Sequence, residues 1–160
     1  MKSKEDIECE ISDAIVADDA DALSATIASH SLSGTRILDG WLSLASQLGQ
    51  LNTLGALLQS GAPVGWANSD GETAFSYACS RNQLGAAKLL FEHGANINSV
   101  DSSGGTPLDC AVCHADPEFR SWLKSIGAIR NFDYDEWPWP PAQTPGEPPW
   151  DQLEPPEDAE

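Results

Sequence analysis

Apolar positions along this chain come in short blocks separated by glycine and small polar residues. Trp41-Leu42-Ser43-Leu44-Ala45-Ser46 predicts a short helix whose small residues allow a neighbour to approach closely. Residues 50–59 predict a second helix, stopped by Gly61 near its C-terminus. The same two-helix pattern returns as residues 73–80 with 84–93, and again as residues 106–113 with 116–125. Between these pairs, Asn96-Ile97-Asn98 and Ser102-Ser103-Gly104-Gly105 have the composition of an extended arm and a turn.

The blocks keep one period. Gly61-Ala62, Gly94-Ala95 and Gly127-Ala128 are spaced by 33 residues, as are Gly71 and Gly104, and Thr73 and Thr106. Leu42, Phe75 and Leu108 keep that offset, and so do Ala45, Ala78 and Ala111, and Leu57, Leu90 and Leu123. So many agreements at one spacing define an internal repeat. Local signals fit it. Thr106 with Asp109 has the form of a capping box closed by an acid. Asp116-Pro117-Glu118 reads as an N-cap acid, a proline at the first helical position and an acid in the first turn.

Period, residue types and order resemble the ankyrin repeat, with Thr106-Pro107-Leu108-Asp109-Cys110-Ala111 standing where that family's pattern has T-P-L-H-x-A. Residues 89–98 resemble the family's second helix and the arm after it, whereas Asp39-Gly40-Trp41-Leu42 opens a degenerate unit. Residues 11–29 read as an amino-terminal unit without the Gly-Ala stop, as a terminal cap is allowed to be. The resemblance implies an all-α solenoid of stacked helix-turn-helix units with short hairpin-like arms. Its units lie near 7–30, 40–62, 70–95 and 103–128 in a domain over 1–130, followed by an extended tail over 131–160.

Charge narrows the function. The chain has 25 acids against 8 bases, a net charge of -17. Such a field repels nucleic acid and anionic membrane and favours a basic protein partner, or serves only to keep the chain soluble. Nine of the acids and none of the bases lie in residues 131–160. No apolar run reaches the ~20 residues of a spanning helix. MKSKEDIECEISDAIV has no apolar stretch of a secretory signal, so the expected compartment is the cytoplasm and the expected state of Cys9, Cys79, Cys110 and Cys113 is the reduced thiol.

One string invites another reading. Cys110-Ala111-Val112-Cys113-His114 spells C-x-x-C-H, the pattern of c-type haem attachment. In the repeat register, however, Cys110 aligns with Tyr77 and Leu44, an apolar position facing the neighbouring unit. Cys113 and His114 align with Ser80 and Arg81 at the turn between helices. A haem or thiol redox protein is the minor alternative. No second C-x-x-C completes a zinc site, and no phosphate-cradling loop or nucleophile motif is present, so neither cofactor nor enzymatic activity is expected.

The ankyrin resemblance implies binding through the hairpin tips and inner helices. The expected partner-binding residues are Trp66, Ser69, Asp70, Glu72, Ser99, Asp101 and Ser102 at the tips, with Arg81 and His114 at inner-helix ends. Trp66 sits on a variable arm position, as an interface anchor or folded over a neighbouring arm or Trp41. Trp137, Trp139 and Trp150 in the acidic, proline-rich tail join the expected set, the tail capping the last unit or docking on a partner. The expected function is a small stoichiometric inhibitor of a basic protein, such as a bacterial immunity protein neutralising a toxin. The alternative is a regulatory adaptor. The free protein is expected to be a monomer.

Overall fold

A computed structural model of the chain describes residues 3–33, 38–112 and 115–131. Cys113, His114, Trp137, Trp139 and Trp150 lie outside them. Eight helices occupy the described residues: α1 (Lys4–Val16), α2 (Ala20–Ser29), α3 (Asp39–Leu48), α4 (Leu51–Gln59), α5 (Ala74–Ser80), α6 (Leu84–Glu92), α7 (Pro107–Val112) and α8 (Pro117–Ser125). They pair as α1·α2, α3·α4, α5·α6 and α7·α8. The odd-numbered helices pack in sequence as an inner row, and α2, α4 and α6 pack behind them as an outer row. None is long and apolar enough to cross a membrane.

The repeat dictates the core. Ile11, Leu42, Phe75 and Leu108 are buried at matching places on the inner helices. Ala14, Ala45, Ala78 and Ala111 are buried beside them. These alanines are the small residues that let adjacent inner helices approach closely. Leu57, Leu90 and Leu123 fill the same place under the outer row. No helix pair could bury its apolar face alone, so each unit is stabilised by its neighbours.

Left-handed residues recur at three kinds of place along the units. Gly61, Gly94 and Gly127, with φ of 85°, 86° and 90°, follow the outer helices. The next amide then closes back five residues: Ala62 N to Leu57 O, Ala95 N to Leu90 O and Ala128 N to Leu123 O, each 3.0 Å. The amino-terminal unit does the same with Leu32 N and Ile27 O at 2.9 Å, although its left-handed residue is Ser31 at φ 53°. The missing Gly-Ala stop is therefore a change of residue at a retained geometry. A second set, Asp18, Gly49 and Asn82, turns the chain between inner and outer helices. The third, Gly71 and Gly104, sits at the hairpin tips.

That amino-terminal unit starts earlier than its apolar pattern suggests. Ser3 caps α1 in a reciprocal box with Asp6: Asp6 N donates to Ser3 Oγ at 3.1 Å and Ser3 N to Asp6 Oδ2 at 2.9 Å. Asp18 then ties the unit to the next. Its Oδ1 accepts from Thr53 N at 3.0 Å and lies 3.1 Å from Thr53 Oγ1, and its Oδ2 accepts from Asn52 Nδ2 at 2.7 Å. At the other end, Asn82 Nδ2 donates to Asp116 Oδ2 at 2.7 Å, and Asn82 Oδ1 accepts from Asp116 N at 3.0 Å. Asp116 does stand at the N-cap of α8, with Pro117 at the first helical position, but its side chain makes no cap bond. The expected capping role is displaced by the tie to Asn82.

Candidate functional site

Hairpin tips project from the stack where each unit meets the next. Asn68 organises one tip: its Oδ1 accepts from Asp70 N and Glu72 N, both at 2.9 Å. Asp101 organises the other, accepting at Oδ1 from Ser103 N at 2.8 Å and Gly105 N at 2.9 Å. The Ser103 hydroxyl bond, with these backbone amides, holds the Asp101 carboxyl below its ordinary range against the opposing effect of burial. Successive tips are joined by Ser102 N donating to Asp70 O at 2.8 Å. A Cβ on Gly71 would lie 3.0 Å from Asp101 Cα, so only glycine fits this close approach at its positive φ.

The expected tip residues divide. Ser69, Asp70 and Ser102 are exposed, whereas Glu72, Ser99 and Asp101 are half-buried. Ser99 Oγ lies 3.4 Å from Thr73 Oγ1, and the Asp101 carboxylate is engaged by its own turn. Trp66 is half-buried too, so it is not a freely projecting anchor. Its indole forms part of a groove along the inner helices, in an arrangement the chain order alone does not disclose.

The groove has two lobes. The first, about 270 Å³, is lined by Gly40, Ser43, Leu44, Trp66 and Asn68. The second, about 480 Å³, is lined by Glu72, Ser80, Arg81 and Asn82. Gln47 and Tyr77 belong to both and form the divide. Tyr77 OH donates to Glu72 Oε2 at 2.6 Å, and Asn68 Nδ2 donates to that same oxygen at 2.9 Å. This hydrogen bond from the neutral phenol, with burial and the repulsion of a phenolate by Glu72, raises the Tyr77 pKa. Gln47, with its amide oxygen turned toward Arg81 as the network favours, accepts from Nε at 3.3 Å and Nη2 at 3.0 Å. Position 77 is thus not simply an apolar contact between units. Its ring does serve packing, but its hydroxyl fixes a carboxylate at the groove. Tyr77 and Gln47 were legible only as repeat positions, because nothing in a 33-residue period says which face a polar atom reaches.

The C-x-x-C-H string is described only as far as Cys110. This thiol is half-buried, and burial together with Asp101, Asp109 and Glu72 pushes its pKa up to about 11. Cys79 is buried and its thiol is pushed up further, by burial and by Cys110. Both favour the protonated thiol at neutral pH, which is the unreactive form. Among the described residues no three His, Cys, Asp or Glu side chains converge as a metal site.

The last unit is closed by the chain that follows it. Thr106 N donates to Asp109 Oδ2 at 2.9 Å and Asp109 N to Thr106 Oγ1 at 3.3 Å, the expected box. Asn131 N also reaches Asp109 Oδ2, at 3.0 Å, and Asn131 Nδ2 donates to Gly104 O at 3.0 Å. Asn98 accepts from Ile129 N at 2.9 Å and donates to Gly127 O at 3.2 Å. Residues 127–131 thereby lie along the preceding arm and tip, and Asp109 takes part in place of the histidine of the T-P-L-H pattern.

A family model for ankyrin repeats, in three copies, matches residues 42–132, more than half of the chain. Human protein phosphatase 1 regulatory subunit 27 is 35% identical over 66 residues, which are 41% of this chain and 43% of that one. Mouse ankyrin repeat and SOCS box protein 16 is 32% identical over 82 residues, 51% of this chain and 18% of that one. An ankyrin repeat protein of Rickettsia felis is 27% identical over 85 residues, 50% and 37% of the two chains. The chain spans less than half the length of each of these relatives. Stacked helix pairs, hairpin tips joined unit to unit and a grooved inner face are what the matched family builds for binding other proteins, and the chain belongs to the ankyrin-repeat family.

Proposed function

We propose that this protein is a non-enzymatic module that docks a basic protein partner in the groove between Trp66 and Arg81, and thereby blocks that partner stoichiometrically. The observation that carries the reading is the fixed polar core of the groove. Glu72 is held by Tyr77 OH at 2.6 Å and Asn68 Nδ2 at 2.9 Å, and both of these residues also line the first lobe with the half-buried Trp66 indole. A carboxylate positioned before binding loses little freedom on complex formation, and an aromatic ring in the same groove supplies apolar area. The net charge of -17 adds steering of a cationic partner at long range. A toxin neutralised in the cytoplasm by a small acidic immunity protein is one partner of this kind.

Regulatory adaptation is the second reading, favoured by the similarity to a protein phosphatase 1 regulatory subunit. An inhibitor silences its partner, whereas an adaptor leaves it active and brings a third protein. The full chain, used as bait beside Trp66→Leu and Glu72→Gln variants, tests the docking. Basic proteins captured at equimolar ratio by the natural chain and lost by both variants support it. Equal capture by all three overturns it. Assaying the captured partner with excess bait then separates inhibitor from adaptor.

A further inference from the structure

The first lobe of the groove has features the second does not share. Gly40 lines it from the first turn of α3, and a Cβ at that residue would meet nothing within 4 Å. Ser43 lines it too, is 8% exposed, and has a hydroxyl that forms no hydrogen bond among the described residues. A buried hydroxyl without a partner is costly in a folded chain and is made good by a ligand or water. Trp66 and Tyr77 give the lobe two aromatic walls, and Leu44 adds apolar surface. Behind Tyr77 and Asn68 stands the Glu72 carboxylate, which both of them hold. Arg81, the cation of the groove, lines the second lobe and not the first.

We infer that the Trp66 lobe is a receptor for one arginine side chain of the partner. The inference rests on the docking reading above and names the chemistry of its central contact. A planar guanidinium stacks on an indole and keeps its N–H groups in plane for acceptors at the edge. The unspent Ser43 oxygen and the field of Glu72 supply an acceptor and a negative potential. A lysine ammonium brings the charge without the plane. A carboxylate side chain meets repulsion from Glu72, and an aliphatic one leaves the Ser43 hydroxyl unpaired.

The probe is N-acetyl-arginine methylamide, titrated into the full-length isotopically labelled chain while amide and indole resonances are followed. N-acetyl-lysine methylamide and N-acetyl-norleucine methylamide run beside it. The expected result is saturable shifts at Ser43, Gln47, the Trp66 indole and Tyr77 with the arginine probe, several-fold weaker with lysine and absent with norleucine. Gly40→Leu fills the lobe from a helical position with open space, so it is expected to remove the shifts without lowering the melting temperature. Equal response to arginine and norleucine overturns the inference, as do arginine shifts that survive in Gly40→Leu. The titration needs no partner, so the two readings fail separately. Partner capture lost in Gly40→Leu without any arginine response sinks the inference and leaves docking standing. Partner capture intact in Gly40→Leu overturns the inference even where the arginine probe responds, because the partner then places no arginine in the lobe, whereas equal capture by the natural chain, Trp66→Leu and Glu72→Gln sinks the docking reading.

Discussion

Asn68 and Asp101 hold the same position in two successive tips: each offers one Oδ1 to the amides two and four residues further along. An amide oxygen and a carboxylate oxygen therefore do one job 33 residues apart.

That equivalence makes Asp101→Asn a mild change and Asp101→Ala a larger one, with a loss of about 1 kcal/mol as the turn amides lose their acceptor. It also fixes a pH response. The folded Asp101 carboxyl titrates below its ordinary range, so its contribution is present above about pH 4 and is lost as pH falls through the folded pKa. Asp101→Asn is expected to flatten that part of the acid limb in denaturant titrations between pH 2 and about pH 5. An unchanged limb would show that the carboxylate is not stabilised by its turn.

Ser31 adopts φ 53° where three other units use glycine. A left-handed serine costs on the order of 1 kcal/mol that glycine avoids. Ser31→Gly is expected to raise stability by up to about that much, seen as a melting temperature higher by a few degrees. A fall would mean that the Ser31 side chain contributes more than its backbone costs.

Glu72 holds Tyr77 in its neutral form. In a Tyr134→Phe background, where Tyr77 is the sole tyrosine, its ionisation followed by ultraviolet absorbance is expected above the ordinary tyrosine value. Adding Glu72→Gln removes the charged acceptor and brings the midpoint down. Midpoints that coincide in the two proteins would show that the 2.6 Å bond is absent in solution.

The thiols are expected to react in order of exposure. Among the described thiols Cys9 is exposed and labels first, whereas Cys79 is buried and labels only as the fold opens. The folded Cys110 thiol, pushed up to about 11, keeps its proton where the unfolded thiol loses it. Stability therefore falls as pH rises from the unfolded thiol's value through about 11. Cys110→Ala is expected to soften that alkaline limb. Labelling of Cys79 as fast as Cys9 would contradict its burial.

The helix pairs were legible because a stacked fold must repeat its core: Ala45, Ala78 and Ala111 mark the inner row wherever they occur. The Thr106–Asp109 box was legible as well, since both partners lie within one turn of helix. Other features escaped the pattern. Ser31 hides a stop because serine, unlike glycine, seldom takes a left-handed backbone, yet the chain turns there as at Gly61. Asp116 resembles a cap but is taken by Asn82, 34 residues away.

Sequence alone determined the period, the helix order and the acidic character, because each is a property of neighbours along the chain or of composition. Tertiary structure decided the groove. Gly40 and Gln47 come from α3, Tyr77 from α5 of the next unit and Trp66 from the arm between the two units, and only the packing of α3 against α5 brings them around one space. A residue's period sets which helix face it occupies, but the depth of its side chain and the partner of its polar atom depend on the neighbouring unit laid across it.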